Sequence, residues 1–500
     1  MRSSFLRVAT MAIVGLLVVA CAPSPSQAPS TTSPSGSASP SASPIPSPSA
    51  SPNRATTASP SLPPLPASAS LPVRASAREN SDHPVLMAPG PEGDLFVHIP
   101  MRTAPAVLAL LDASGRPKAG WPVAVPGARF CDHLLPVEDG SVRIVCTMEN
   151  PDGNMFDPIG AFAFEPDGRL LAGWPVWIDG FFVAARVIRE DLTLFVSQSL
   201  GDVEVEGQSS FSGGLVTIAP DGRVDHGVRA TDIGHCCTWK IGPDGIAYGV
   251  VSGLDASDAR ASRILAVDHR GVRAGWPVSF YGITSGPAFG PSGRIAVTVA
   301  DASLTRSLAF EPDGTAVSAR PLHLPVATAE YSEDTGGCTV GSPQAPVVAH
   351  DGTTFVYSEL NPAIYALDPS LSPIRDWPFE PEAPRAVARP GLESEHEAGY
   401  CPTSVAPAVG PDRTLYVALQ AGDTTVGGRL LAVGSDSRVR PGWPVDLLRP
   451  RSEFWSVVVD ADGTVYALAI EPESGGRSSA TILAIAPDST VRYRTTIVEP

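Results

Sequence analysis

Apart from Cys21, the chain carries six cysteines: Cys131, Cys146, Cys236, Cys237, Cys338 and Cys401. All but Cys146 lie shortly before a turn of the Asp-Gly type. His133 stands near Cys131, His235 beside Cys236, and Glu395-His396-Glu397 a few residues before Cys401. Thiolates and imidazoles are good zinc ligands, so metal binding is one chemistry open to this set. Disulfide formation is the other, and a given sulfur does one or the other. No CxxC or HxxxH spacing organises these residues around an ion, and no metal site is expected. Asp460-Ala461-Asp462-Gly463 begins like a calcium loop but lacks a bidentate Glu at the right offset, so it reads as a hairpin turn. No Gly-x-Ser-x-Gly, P-loop or GxGxxG context is present, and no catalytic residue is assigned.

The N-terminus sets the redox compartment. Arg2 and Arg7 give a positive start and Val8–Ala20 is an apolar run. That run falls short of the about 20 residues that cross ~30 Å of hydrocarbon, so residues 1–20 read as an export signal. Val18-Val19-Ala20-Cys21 resembles a bacterial lipobox. It implies a lipid on the Cys21 sulfur and a chain held on the outer side of the cytoplasmic membrane. Residues 21–70 are almost entirely Pro, Ser, Ala and Thr, with Arg54 the only charge. Such a segment has nothing to bury and is expected to be a disordered stalk reaching roughly 40 Å or more. Residues 71–500 form the folded part.

Exported thiols oxidise by default, and an even number suits full pairing. Cys131 and Cys146 flank the Asp139-Gly140 turn and can meet across it. Cys338 and Cys401 hold matching places in successive units and can join. That leaves Cys236-Cys237, which either close a strained ring on each other or bond elsewhere; the count alone does not choose. Each longer bridge would contribute ~2–4 kcal/mol and stiffen its loops. The net charge of −17 argues against nucleic acid and against direct binding to an anionic membrane surface.

What must position these residues is a repeat. Gly-Trp-Pro-Val stands at 120–123, 173–176, 275–278 and 442–445, with a worn copy at Asp376–Phe379. The gaps are close to fifty residues or twice that, the mark of stacked supersecondary units. Eight turns recur, among them Pro91-Glu92-Gly93, Pro243-Asp244-Gly245 and Ala461-Asp462-Gly463; Glu190-Asp191-Leu192 lacks the glycine. Asp-Gly between apolar runs signals a hairpin. After the turn comes a strand with an aromatic column: Phe96, Phe195, Tyr248, Phe355, Tyr416 and Tyr466, with Arg143 and Ala296 as exceptions. The next strand carries an alanine column: Ala109, Ala163, Ala266, Ala309, Ala366, Ala432 and Ala484, with Thr217 in the remaining unit. Four short strands per unit and no helical period predict an all-β, eight-bladed β-propeller of four-stranded blades. Seven blades and one irregular unit is the alternative, since the third and fifth units lack the tryptophan. The residues 71–77 could add a strand where the ring closes.

A turn, a β-run ending in Tyr-Val, an Ala-x-Asp strand and a tryptophan together resemble the PQQ-like, quinoprotein-type propeller repeat. Ala266-Val267-Asp268-His269-Arg270-Gly271 leading to Trp276 is the copy most like that family's tryptophan-docking pattern, though it lacks the Thr-Gly pair. The resemblance implies fold strongly and activity weakly. His235-Cys236-Cys237-Thr238-Trp239 is similar in type to the vicinal cysteines that quinoprotein alcohol dehydrogenases hold against their cofactor. It implies, as the second reading, a dehydrogenase using PQQ and calcium, but no matching calcium-binding Glu and Asn motif appears. The first reading needs no cofactor: a non-catalytic scaffold or sensor for an extracellular protein, peptide or glycan. Its binding face would be built from connections entering the inner strands, with His133, His235, Cys236, Cys237, Trp239, Glu395, His396 and Glu397. Two long excursions, Val326–Ser342 and Glu380–Thr403, enter the same face.

Overall fold

The computed structural model describes residues 69–72, 85–100, 105–148, 158–205, 208–231, 238–252, 261–300, 305–322, 344–358, 361–381, 405–419, 427–473 and 478–498. All of them fall in one compact unit, Pro60–Pro500. They form eight sheets and no α-helix, and no described helix is long and apolar enough to cross a membrane. Blade one illustrates the plan: Leu86–Pro89, Leu95–Ile99, Val107–Leu111 and Val123–Ala124 run antiparallel, one beside the next. Leu95–Ile99 is buried at every position. A blade has a neighbour on both faces, which is why such strands read as continuous apolar runs instead of alternating ones.

The innermost strands touch in sequence around a ring. Leu86–Pro89 meets Ala128–Pro136 of blade two on one side and Glu453–Val459 of blade eight on the other, so the circle closes. Blade eight carries a fifth strand, Ala69–Pro72, parallel to Val491–Val498. The sequence allows an optional extra strand at residues 71–77; the strand described is Ala69–Pro72, on the outer edge of blade eight. Blade six is the thinnest: its outermost strand reduces to the Ile364–Phe379 bridge, at the worn repeat.

The recurrent tryptophans weld five of the blades to the next. Trp121 Nε1 donates to Pro166 O at 2.9 Å, Trp174 to Pro220 O at 2.9 Å, and Trp276 to Pro312 O at 3.2 Å. Trp377 reaches Ser435 O at 3.2 Å and Trp443 reaches Pro487 O at 3.1 Å. Each acceptor lies in the hairpin between the outer two strands of the following blade. The ring also packs on the aromatic column of its own blade: Phe96, Tyr248, Phe355 and Tyr416 lie 5.4–5.8 Å from their tryptophans, centroid to centroid. Where that column holds Arg143, the guanidinium sits over the Trp174 ring at 5.7 Å, a cation–π substitute for the ring pair. At four of the five tryptophans the residue before is a glycine, and the next hairpin presses against it. Gly173 has φ +86°, and a Cβ there would lie 2.0 Å from Asp221 O of the docked hairpin.

Three junctions lack the tryptophan, and each finds another donor. At the third, the Val228 backbone N–H donates to His269 O at 2.9 Å. At the fifth, Arg294 Nη1 donates to Pro369 O. At the closing junction, Tyr466 Oη donates to Gly93 O at 3.0 Å and Thr495 Oγ1 to Gly115 O at 2.7 Å.

Strand register corrects two of the sequence columns. Phe96 pairs with Leu110 instead of Ala109, and Thr193, not Phe195, faces Thr217. In blade three, then, both columns are threonine. The shift has a local cause: its first hairpin is a two-residue turn at Arg189-Glu190, with Arg189 at φ +60°. Elsewhere, as at Gly242–Ile246, the turn is longer.

Two substitutions test the welding. Trp443→Phe keeps most of the ring but loses the hydrogen bond, and should cost about 1–2 kcal/mol, against about 3–5 kcal/mol for Trp443→Ala, read from urea midpoints. Gly173→Ala should destabilise far more than Gly271→Ala. Both glycines have positive φ, but nothing lies within 4 Å of a Cβ at Gly271. Equal losses would show that the hairpin contact is not what requires glycine.

Candidate functional site

Of the residues singled out in the sequence, His235, Cys236, Cys237, Cys338, Glu395, His396, Glu397 and Cys401 lie outside the described residues, as do Cys21 and nearly all of both long excursions. The described remainder centres on the inner strand of blade two, Ala128–Pro136. Cys131 and Cys146 form a disulfide directly across the first ladder of that blade. The register then slips by one residue, so that His133 faces Val145 and Asp132 is left as the extra residue. Continuing the pairing from the turn without that slip would set Cys146 opposite Asp132; the bulge brings Cys131 there instead. Bulges re-aim a side chain out of the ladder. The same slip recurs on the inner strands of blades three and eight, between Phe182 and Ala184 and between Phe454 and Ser456.

Asp132, His133 and Lys240 make a polar group on the innermost layer. Lys240 sits on Thr238–Ile241, the inner strand of blade four. Blade three lies between, and its inner strand carries Ala184 and Ala185 there. Loss of bulk water pushes the Asp132 carboxyl up to about 6, against a weaker opposing pull from the Thr147 hydroxyl. Burial, and then the Lys240 charge, hold His133 down to about 4. Lys240 is reached by solvent yet has protein around it, and that confinement lowers its amine. At neutral pH this wall therefore presents a neutral imidazole next in sequence to a carboxylate, with the Lys240 amine near enough for its charge to be felt. Such groups can hold a polar ligand or pass a proton.

Trp239, placed by sequence on the binding face, is buried and stacks on Phe195 of blade three at 4.0 Å. Its ring fills the inner part of the junction that lacks a Gly-Trp-Pro-Val. Among the described residues no group of three or more His, Cys, Asp or Glu could hold a metal ion. The residues that sequence reasoning missed are the docking hairpins. Their signal was present: Pro166-Asp167-Gly168, Pro220-Asp221-Gly222 and Pro312-Asp313-Gly314 recur in step with the tryptophans. Asp132 was missed as well, because a bulge leaves no mark in a single sequence.

The Asp132 carboxyl gives a pH test. Folding raises its pKa from 3.8 to about 6, so folding favours the protonated form. That contribution is complete below 3.8 and lost as the pH rises through 6. Asp132→Asn should therefore raise stability by about 2 kcal/mol at pH 7.5, with the gain fading towards pH 4, measured by urea unfolding. A gain that stays the same at both pH values would exclude charge burial as its source.

No protein-family model and no curated protein matches the sequence. Among solved structures, a streptogramin B lyase covers 80% of this chain and 93% of its own, at 12% identity and a TM-score of 0.38. A catalytically inactive virginiamycin B lyase from Staphylococcus aureus, with quinupristin, covers 60% and 98% at 13% identity and a TM-score of 0.33. A eukaryotic initiation factor covers 78% and 93% at 10% identity and a TM-score of 0.42. Superpositions this loose carry no functional argument.

Proposed function

We propose that this chain is a lipid-anchored, extracytoplasmic propeller of the PQQ-like repeat type that binds an extracellular protein, peptide or glycan without transforming it. The observation that supports the reading is the inner wall at Asp132, His133 and Lys240. It is polar, set among strands otherwise rich in alanine, valine and leucine, and braced by Cys131–Cys146 beside the bulge. The disulfide beside the bulge stiffens the strand that carries Asp132 and His133, so less entropy is lost there on binding. The recurrent tryptophans are committed to joining blades, which leaves recognition to the residues that break the repeat. The connections entering the inner strands, including His235–Cys237 and Glu395–Glu397, are assigned to the same surface in this reading. The stalk would hold that surface away from the membrane.

Anchoring and binding separate experimentally. Cys21→Ser should move the chain from the membrane fraction to the medium; an undiminished membrane fraction would sink the lipid anchor. For binding, a photo-crosslinking residue in place of His133, in cells carrying the full chain, should yield a discrete adduct that Lys240→Glu removes. If no adduct forms and the purified chain instead oxidises an alcohol with added PQQ and calcium, the dehydrogenase reading replaces this one.

A further inference from the structure

A second, independent site lies at the third junction, on the opposite face from the connections that enter the inner strands. At four of the five tryptophan junctions the indole packs beside an aromatic ring of its own blade, and at the other it packs beside Arg143. Blade three has neither ring. Thr193 and Thr217 stand at the two column positions, and the hairpin carbonyl that an indole would reach is taken by the Val228 backbone N–H. A backbone amide supplies the hydrogen bond without the volume of a ring. The space left over is a cleft of about 590 Å³ between blades three and four.

Its walls combine polar groups with Val187, Ile188 and Pro243, where five of the other junctions carry a tryptophan ring. Thr193, Thr217, Arg186, Asp191, Asp244 and His269 line it, with Arg189 at the rim from the shortened turn. Several of these are already held in place. Arg186 Nη1 donates to Ile241 O at 3.2 Å, Tyr248 Oη donates to Asp244 Oδ2 at 2.9 Å, and Thr217 Oγ1 lies 3.3 Å from His269 Nε2. Two carboxylates and two guanidiniums balance, so neither an anion nor a cation is favoured by net charge. What the cleft offers is a set of hydroxyl, carboxylate and guanidinium groups around a space that no ring at the two column positions of blade three fills.

We infer that this cleft binds a saccharide. A pyranose is the polar counterpart of the rings it would replace: six-membered, compact, and edged with hydroxyls that donate and accept. Carboxylates accept from vicinal hydroxyls and guanidiniums donate to them. The volume lies within the range of small-ligand pockets and admits more than one sugar unit.

The test is titration calorimetry of the full-length chain with glucose, galactose, mannose, N-acetylglucosamine and their β-linked disaccharides, alongside N-acetyltryptophanamide. Saturable binding of at least one sugar is expected, and Asp191→Ala should weaken it about tenfold. The double variant Thr193→Tyr with Thr217→Ala restores the repeat and should abolish binding while holding or raising the melting temperature. If that variant does not fold, Arg189→Ala at the exposed rim serves in its place, and it too should weaken binding. The inference is overturned if no sugar binds, or if binding is indifferent to these substitutions. It is also overturned if N-acetyltryptophanamide binds in preference, which would make the cleft a socket for a partner's aromatic side chain. None of these outcomes touches the inner wall at Asp132.

Discussion

One interaction recurs around the ring: a donor from each blade reaches a carbonyl in a hairpin of the next. Sheets packed face to face can slide and rotate, because apolar contact is not directional. A hydrogen bond to a fixed carbonyl is directional. Repeated at the junctions, it sets the angle between successive blades and hence the number that closes the circle. The indole does this well because one side chain brings both buried area and a single donor. Its geometry then shapes the rest of the repeat: a glycine before it in four of five copies, where the next hairpin presses in, and an aromatic or Arg143 beside it.

The junctions that depart from this scheme show which part of it is indispensable. The ring is lost at three junctions, yet a hydrogen bond from one blade to the next survives at all three. Val228 uses its backbone, Arg294 its guanidinium, and the closing pair uses Tyr466 and Thr495. At the fifth junction Arg294 also pairs with Glu311 of its own blade, which fixes the arm that reaches across. At the worn repeat, Asp376 replaces glycine at φ +70°, and Ser437 of the next hairpin donates to Asp376 O. Both sides of that contact changed together, a hydroxyl taking the place of a bare Cα. Volume is negotiable at a junction; the crossing hydrogen bond is not.

Much of this was legible from residue types. The repeat length, the turns and the strand count lead to eight blades because each unit is a complete supersecondary element that must bury both faces. Register was less accessible. A single-residue offset at Ala109 and a two-residue offset at Phe195 left no trace in composition, since neighbouring apolar residues substitute freely in a column. The shortened Arg189-Glu190 turn was visible as a missing glycine, but its consequence, two threonines facing the space of two rings, needed the pairing of strands to appear. The inner wall was half legible. His133 and Cys131 were singled out as residues that break the repeat; Asp132 and Lys240 were not, because their proximity depends on a bulge and on the curvature of the ring.

The two polar features therefore share an origin. A repeat protein gains its stability from positions that all units hold in common, so those positions are committed to packing. Chemistry becomes available only where a unit departs from the pattern and its neighbours absorb the departure. At blade two the departure is the polar pair Asp132-His133 at the inner-strand bulge, beside the Cys131–Cys146 cross-link. At blade three it is a missing ring, absorbed by Trp239 stacking closer to the axis on Phe195 and by the Val228 amide farther out. The two stand on adjacent blades, and the inner strand of blade three borders both. Arg186, on that strand, lines the cleft while bonding to Ile241, the residue next to Lys240. Any shift of blade four that lengthens this bond would be felt in the cleft and at the inner wall alike.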